Sequence, residues 1–525
     1  MRWICAALLG ASVLLPVAAS AQITSSGLLN STALHAAGLE RMWFTQLDLD
    51  RARGRVVGLH QFVSPTKFHT IFEFIHDGKR YTFSERDRNA FGEMIGVDAA
   101  RLKAEEALAQ IKADLIAAGK MDPALPPIET HRVPEITIAA TTDRGILQVL
   151  DGETGQTKWS TLVGSPRHPT TEPAVSDEYV AVCNGSTLYV YNADDGQLAW
   201  QKQVVGAVGA GPAITDSQIY VPMLNGTMET YAVDNPRRPR VFRAYGRTVV
   251  QPVASNESVA WPTDQGKLYV GFARGGTMKY RVEAKDAMNA APTFMAPDKI
   301  LATSMDGYVY CIEEGRGQIL WRFTTGEPIG QSPLAVGDTV YAVTDAGKFY
   351  AISAANGAEL WMTDGVRTIL AANKDRVYVT EVTGNVLILD AQSGSRLGSI
   401  YASDLNLKYT NVLTDRIIIG TRTGLIQCIR ERGLVYPVAH QQLEPIAPPA
   451  AQPKGGPGAP AAKPAADPFA DPGAVDPFGG DAPAAPKPEA DPFGGDADPF
   501  GGDAADPFGG GEMKEAPAAE ADPFG

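Results

Sequence analysis

The 525-residue chain has few of the residues on which most catalytic and metal sites depend. It has only four cysteines, no two of them adjacent or spaced as C-x-x-C, and its seven histidines include no H-x-x-x-H pair. These absences exclude the common zinc motifs. The sequence also lacks a P-loop, a G-x-S-x-G motif and a G-x-G-x-x-G that opens a helix, which excludes the usual signatures of nucleotide-binding proteins and serine hydrolases. We therefore predict no catalytic, metal-binding or cofactor-binding residues.

The chain also lacks an excess of positive charge. Its formal net charge is −14, and residues 441–525 hold 15 acidic and 4 basic side chains, so most of the negative charge lies in that segment. The rest of the chain is close to neutral, and this balance gives no support for binding to nucleic acid.

The sequence has only one long apolar run, and it lies at the N-terminus. Arg2 precedes an apolar stretch from Ile4 to Ala18, and Ala19-Ser20-Ala21 follows directly. This pattern predicts a secretory signal peptide over residues 1–21. Cys5 lies inside the apolar run and not at the cleavage point, so lipoprotein anchoring is not predicted. We expect an exported protein of the periplasm or cell envelope, or a secreted one, without a transmembrane span after signal cleavage.

A repeat of about 40 residues fills the middle of the chain. Its clearest copy runs from Gly347 to Trp361, and the first position of each copy falls at Gly145, Ser186, Gly226, Gly266, Gly307, Gly347, Gly384 and Gly424. Five apolar or β-branched residues follow this position, and a second glycine comes ten residues after it in six copies. A large aromatic residue stands fourteen residues after it at Trp159, Trp200, Tyr280, Trp321 and Trp361. A fixed period of this length is typical of solenoids and propellers.

The pattern of each repeat predicts four short strands. A proline followed by small apolar residues precedes the first strand at Pro173, Pro212, Pro252, Pro292 and Pro333, and proline is tolerated at the first residue of a strand. In the sixth repeat we predict strands at 333–336, 339–344, 348–353 and 358–362. Eight copies of a four-stranded antiparallel unit predict an all-β fold, an eight-bladed β-propeller over residues 134–440. The recurring aromatic residues are expected to pack between neighbouring blades.

Residues 22–133 predict a small α+β extension. Trp43-Phe44 and the segment Arg55 to Val63 are interpreted as an outer and an inner strand that close the ring. Residues 69–75 and 79–83 flank Asp77-Gly78 and predict a hairpin. An amphipathic helix is predicted over 98–118, with Asp98 as its N-cap and apolar residues at 102, 108, 111 and 115. Residues 120–134 are interpreted as a proline-containing linker.

The last 85 residues, 441–525, have a different composition. They are rich in Ala, Pro, Gly and Asp, and Asp-Pro-Phe recurs at 467, 476, 491, 498, 506 and 522. Such a segment cannot bury enough apolar area to offset its chain entropy, so a disordered tail is predicted. The repeated phenylalanines suggest recognition motifs for a partner, but composition favours a solvated spacer.

The repeat motif resembles that of the pyrroloquinoline-quinone (PQQ) type β-propellers. The resemblance rests on Gly-x-x-x-Ala/Val-Leu/Ile-Asp-x-x-x-Gly-x-x-x-Trp, found at 145–159 and in closely related form at 307–321 and 347–361. It implies eight blades with tryptophan contacts between them. The family contains PQQ-dependent dehydrogenases and non-catalytic members such as the outer-membrane assembly lipoprotein BamB. The dehydrogenases resemble one another in a vicinal cysteine pair and in calcium ligands, neither of which is recognisable here.

Two hypotheses about function follow. The first is an exported, non-catalytic and monomeric propeller whose loops or central funnel bind a protein partner. The second is a PQQ-dependent oxidoreductase acting on alcohols or sugars, which would need a cofactor site that the sequence does not show. Since function must be argued from a site, the first hypothesis is favoured.

Overall fold

The computed structural model describes residues 27–49, 54–119 and 125–441. The predicted signal peptide and the tail from residue 442 onward lie outside these ranges. The described residues form helices α1 (Ser31–Ala36) and α2 (Gly96–Ala117). Neither helix is both long enough and apolar enough to cross a bilayer.

The strands of the N-terminal part and first repeat are β1 (Leu39–Gln46), β2 (Val56–His76), β3 (Lys79–Ser84), β4 (Glu129–Thr142), β5 (Ile146–Asp151) and β6 (Thr157–Leu162). The next three repeats contain β7 (Ala174–Val175), β8 (Tyr179–Asn184), β9 (Thr187–Asn192), β10 (Leu198–Gln203), β11 (Ala213–Ile214), β12 (Gln218–Pro222), β13 (Thr227–Ala232), β14 (Arg240–Arg243), β15 (Val253–Ala254), β16 (Ser258–Pro262), β17 (Lys267–Phe272) and β18 (Met278–Glu283). The remaining repeats contain β19 (Thr293–Met295), β20 (Lys299–Thr303), β21 (Tyr308–Glu313), β22 (Ile319–Thr324), β23 (Leu334–Val336), β24 (Thr339–Val343), β25 (Lys348–Ser353), β26 (Glu359–Asp364), β27 (Val366–Ala372), β28 (Arg376–Glu381), β29 (Val386–Asp390), β30 (Arg396–Ile400), β31 (Leu407–Lys408), β32 (Ile417–Gly420) and β33 (Leu425–Glu431).

These strands form eight antiparallel sheets, which are the blades of a propeller. Blade 1 has the order β2-β4-β5-β6, with β3 added beside β2, and blades 2 to 7 each consist of four consecutive strands. Blade 8 has the order β31-β32-β33-β1. The predicted fold class is therefore confirmed, and the four strands of the sixth repeat lie within two residues of their predicted bounds.

The recurring aromatic residues join each blade to the next one. The indole N–H groups donate to backbone carbonyls of the following blade, in the turn between its third and fourth strands, which we call the 3–4 turn. These bonds run from Trp159 to Ala193 (2.7 Å), Trp200 to Val233 (2.7 Å), Trp321 to Ala354 (3.0 Å) and Trp361 to Ala391 (2.9 Å). The Tyr280 hydroxyl donates in the same way to the Glu314 carbonyl at 2.9 Å. The prediction that these residues pack between blades is confirmed.

The second glycine of the repeat receives the aromatic ring of the preceding blade. Gly394 has φ +69°, and a Cβ atom there would lie 2.5 Å from the Trp361 ring. A side chain at this position would therefore clash with the ring and strain the backbone. The tryptophan of one blade and the second glycine of the next blade are thus the two partners of this contact.

The ring is closed by the N-terminal strand β1, as the sequence interpretation proposed. β1 pairs antiparallel with β33, with Trp43 opposite Cys428. The indole N–H of Trp43 donates to the Gly152 carbonyl of blade 1 at 2.9 Å. Residues 56–63 of β2 form the innermost strand of blade 1. Trp43 is therefore the aromatic residue that the eighth repeat lacks.

The extension grows out of blade 1. The second half of β2 pairs with β3 through the predicted hairpin, whose turn residues Asp77 and Gly78 have φ 48° and 74°. The same half of β2 pairs with the first half of β4, as in the pair His69 and Val133. Helix α2 packs on this sheet through the buried side chains of Ala100 and Ala104.

Three predictions for the extension are corrected by the structure. α2 begins at Gly96 without a side-chain cap, and Asp98 lies in its first turn, where a carboxylate favours the helix dipole. Leu102 is 55% exposed, since the helix packs through small alanines instead. Residues 129–134 of the predicted linker are strand, because Pro134 lies opposite Phe68 next to a break in register, where a ladder tolerates proline.

The innermost strands surround a central channel. His60 of blade 1 forms a hydrogen bond with the side chain of Gln251, which precedes the first strand of blade 4. The Gln251 side-chain amide also donates to the carbonyls of Pro173 (2.9 Å) and Pro212 (2.7 Å) in blades 2 and 3. One side chain thus links four blades across the centre. Burial lowers the pKa of His60 to about 4, although the hydrogen bond with Gln251 acts in the opposite direction.

We predict that Trp361→Ala destabilises the ring by about 3–5 kcal/mol, because it leaves a cavity between blades 6 and 7. Urea unfolding followed by tryptophan fluorescence and circular dichroism measures the change. Leu360→Ala is the matched control, since Leu360 is 54% exposed on the same strand, and it should cost less than about 0.5 kcal/mol. Equal stability of the two variants would show that the ring contact contributes little.

We predict that His60 makes the stability of the ring depend on pH. Its folded pKa lies below the unfolded value of 6.5, so its contribution is fully present above pH 6.5 and is lost as the pH falls towards 4. Because the His60 residue is only partly buried, the loss should be roughly 1–2 kcal/mol, less than the full shift implies. Unfolding at pH 7.5 and 4.5 should show a smaller loss for His60→Gln than for wild type. The control His35→Gln should leave the loss unchanged, and the prediction is wrong if both variants behave alike.

Candidate functional site

The connections that enter the innermost strands and the turns between the second and third strands form one face of the propeller, which we call the loop face. In each blade the connection that enters the innermost strand and the turn between the second and third strands lie at the same end of the sheet, because successive strands are antiparallel. The connections include residues 204–212, 244–252, 284–292 and 325–333, and the turns include residues 223–226, 263–266, 304–307 and 344–347.

Backbone hydrogen bonds hold each connection to the turn of its own blade. The turn N–H donates to the connection carbonyl from Leu224 to Ala207 (2.9 Å), Asp264 to Arg247 (2.9 Å), Met305 to Ala287 (2.8 Å) and Asp345 to Pro328 (2.9 Å). The same bond recurs in four consecutive blades. Because backbone groups make these bonds, they hold the loops in place whatever side chains the bonded residues carry.

Acidic residues of the turns add a second link. The carboxylate of Asp264 accepts hydrogen bonds from the backbone N–H (2.8 Å) and the side-chain Nε (2.9 Å) of Arg247. Burial raises the pKa of Asp264, but the hydrogen bonds and charge of Arg247 outweigh burial and hold that pKa below its usual range. Asp345 accepts a hydrogen bond from the backbone N–H of Gly330 at 3.1 Å. These two acids therefore support the structure of the loops.

Large apolar side chains project from the loops of blades 3 and 4. Val205 is 86% exposed, Tyr245 63%, Leu224 45% and Val249 43%. These four residues, which we call the apolar arc, lie on the loop-face connections and turn of two neighbouring blades. Leu224 lies against the connection at Gly209, and the neighbouring Gly226 lies against the carbonyl of Gly246 beside Tyr245. Several large apolar side chains exposed on one face are typical of a surface that binds another protein.

A shallow cavity of about 300 Å³ opens on the same face between blades 6 and 7. It is lined by Gln331, Asp345, Arg367 and Val382, among others. Val382 is 70% exposed at its edge, and the side-chain amide of Gln331 donates to the Arg367 carbonyl at 2.7 Å across the two blades. The cavity is large enough for a side chain of a docked protein, and its walls are polar.

The described residues do not fit a quinone with its calcium ion. Cys183, Cys311 and Cys428 are buried and free in blades 2, 5 and 8, so no two of them form a vicinal pair. Burial raises the pKa of Cys183 and Cys428 to about 12 and that of Cys311 to about 11, which keeps the thiols protonated. Within residues 27–49, 54–119 and 125–441, no three His, Cys, Asp or Glu side chains converge as metal ligands.

The sequence predicted partner-binding loops but did not single out the apolar arc. Val205 and Tyr245 stand 21 residues before the first glycine of their repeats, where other repeats have Ser165, Asp286 and Gly326. Leu224 stands two residues before the first glycine of its repeat, where three other repeats have Asp, at positions 143, 264 and 345. A large apolar residue at these loop positions is the signal that could have found them.

Comparison with known proteins places the repeat in one family. The family model described as outer membrane protein assembly factor BamB matches residues 142–285 and 273–416. Together these matches cover blades 2 to 7 in full and more than half of the chain.

Curated relatives carry the same description. The outer membrane protein assembly factor BamB of Shewanella oneidensis is 25% identical over 269 residues, which are 46% of this chain and 66% of that protein. The BamB of Moranella endobia is 23% identical and that of Yersinia pestis 21% identical, with 52% and 56% of this chain and 79% and 71% of those proteins covered. The chain thus spans just under two thirds of the Shewanella protein.

A solved structure gives a more distant match. The crystal structure of BamB from Moraxella catarrhalis has 14% sequence identity and a TM-score of 0.47, covering 56% of this chain and 93% of that chain. The classification rests on the family model, which matches the ring described above. The chain belongs to the family of the outer membrane protein assembly factor BamB.

Proposed function

We propose that the protein is a non-catalytic scaffold of the cell envelope that binds a protein partner through its loop face. The observation that carries the proposal is the apolar arc, which sits on loops whose backbones are fixed by repeated hydrogen bonds. Rigid loops reduce the entropy lost on binding, so exposed apolar side chains on them are well placed to bind.

The names of the relatives indicate the process in which the partner acts. Each of the curated relatives described above is named an outer membrane protein assembly factor. We propose that this chain also acts in outer membrane protein assembly and that the partner belongs to that process. The predicted signal peptide supports an envelope location, since export is needed to reach such a partner.

The chemistry of the arc indicates how the partner is recognised. Tyr245 supplies a large, rigid side chain with a polar tip, and such residues dominate the binding energy of many interfaces. The backbone N–H of Tyr245 donates to the hydroxyl of Tyr269 at 2.7 Å, which fixes its position. The Arg247–Asp264 ion pair beside it, at 2.9 Å, provides a polar rim.

We predict that the double variant Val205→Glu/Tyr245→Glu loses partner binding, because it places two charges in an apolar interface. A photo-crosslinking amino acid at position 205 or 245 should yield a defined product in the native envelope of the host. Wild-type protein should compete for that product, and the double variant should compete at least tenfold less well.

The matched control is Leu198→Glu/Leu360→Glu, since Leu198 and Leu360 are 49% and 54% exposed on outer strands away from the loop face. It should compete like wild type. In a deletion strain, wild type and the control should restore outer membrane protein levels, whereas the loop-face variant should not. Normal outer membrane protein levels in the deletion strain would contradict the proposed process, and restoration by the loop-face variant would contradict the proposed surface.

A further inference from the structure

The outer wall of blades 3 and 4 carries a concentration of positive charge that the rest of the chain does not share. Residues 237–281 contain nine basic and two acidic side chains, in a chain of net charge −14. Five exposed arginines, which we call the arginine wall, lie on the outer strand of blade 3 and on the 3–4 turns of blades 3 and 4: Arg237, Arg238, Arg240, Arg243 and Arg274.

The wall exists because blade 3 replaces the aromatic residue of the repeat with an arginine. Arg240 stands fourteen residues after Gly226, where other blades have Trp or Tyr. Its guanidinium donates to the carbonyl of Gly275 in the 3–4 turn of blade 4. This bond places Arg240, on the outer strand of blade 3, beside the turn of blade 4 that carries Arg274.

The charges of the wall are not neutralised within the described part of the chain. There, none of Arg237, Arg238, Arg243 and Arg274 makes an ion pair within 4.0 Å. Pro236 and Pro239 flank Arg237 and Arg238 and hold the turn in a restricted conformation. Clustered guanidinium groups without carboxylate partners favour an external ligand that carries many negative charges.

Apolar side chains are interspersed among the arginines. Val241 is 56% exposed between Arg240 and Arg243, and Phe272 is 46% exposed beside Arg274. The ammonium group of Lys279 lies 4.9 Å from the centre of the Phe272 ring. Neither the cavity lined by Phe62 and Asp194 nor the loop-face cavity between blades 6 and 7 touches this wall. A docked polypeptide would need pockets for its side chains, whereas a headgroup layer needs only an open charged surface with some apolar contacts.

We infer that the arginine wall binds the surface of a membrane rich in anionic phospholipids. The arginines bind headgroup phosphates, and Val241 and Phe272 contact the interface between headgroups and acyl chains. The 3–4 turns that carry Arg237, Arg238 and Arg274 lie at the opposite end of the blades from the loop face. Arg243, opposite Thr227, lies nearer the loop-face end of the outer strand. The inference does not depend on the proposed partner.

Sedimentation with lipid vesicles tests the inference on the full chain. The protein should bind vesicles of three parts phosphatidylcholine and one part phosphatidylglycerol at 0.1 M salt, and should not bind vesicles of phosphatidylcholine alone. Because each basic residue near an anionic surface strengthens binding substantially, Arg237→Glu/Arg238→Glu/Arg243→Glu should weaken it more than tenfold. Salt at 0.5 M should release the wild-type protein, since it screens the charges.

The matched control reverses three exposed charges elsewhere, as Lys112→Glu/Arg316→Glu/Lys374→Glu, with the same change in net charge. It should bind within twofold of wild type, and melting curves should show that both variants are folded. Failure of wild type to bind anionic vesicles, or equal weakening by both variants, overturns the inference. If wild type binds a poly-aspartate peptide through the wall but does not bind the vesicles, the wall is a site for an acidic polypeptide and the membrane assignment is wrong.

Discussion

The fold depends on one contact, in which an aromatic side chain of the outer strand docks on the 3–4 turn of the next blade in six of the eight blades. A sheet of about 40 residues is too small to bury both of its faces by itself, so it is stable only between neighbours. The indole N–H of Trp361 would be buried without a partner if the Ala391 carbonyl did not accept it, and an unpaired buried donor costs about 1–3 kcal/mol. Packing and hydrogen bonding therefore select the same geometry.

The places where this contact departs from the repeat explain the individual features of the ring. Blade 8 has no aromatic residue of its own, so Trp43 from the N-terminus supplies it and closes the ring. Blade 7 has Gly398 at the position, and there the hydroxyl of Tyr378 donates to Glu431 of blade 8 at 3.1 Å. Blade 3 uses Arg240, which keeps the bond to the next blade but leaves the wall polar. Each departure is compensated locally, and the departure in blade 3 also creates a charged surface.

Most of the ring could be predicted from sequence because the contact is local within the repeat and recurs. The strands, the turn glycines and the role of Trp361 all follow from spacing. Trp43 was assigned to a ring-closing strand because a propeller usually completes its last blade with a strand from the opposite terminus. The extension was harder to predict. Pro134 is in a strand only because β2 pairs with it, and the periodicity of the sequence does not reveal such pairing. The link between His60 and Gln251 joins residues of different blades, and the apolar arc consists of exceptions to the repeat, so neither could be read from its consensus.

The bonds that join the blades near the centre explain why the apolar arc is the better candidate for binding than the channel. The side-chain amide of Gln251 holds the carbonyls of Pro173 and Pro212, so a ligand that displaces it would have to break bonds that join blades. On the loop face, the backbone bond between Leu224 and Ala207 and the side-chain bond between Arg247 and Asp264 do not involve the side chains of the apolar arc. Side chains such as Val205 and Tyr245 can then change without loss of the bonds that hold the ring together. Surface side chains that make no structural bonds can change to fit a partner, whereas the side chains that join the blades inside the ring cannot.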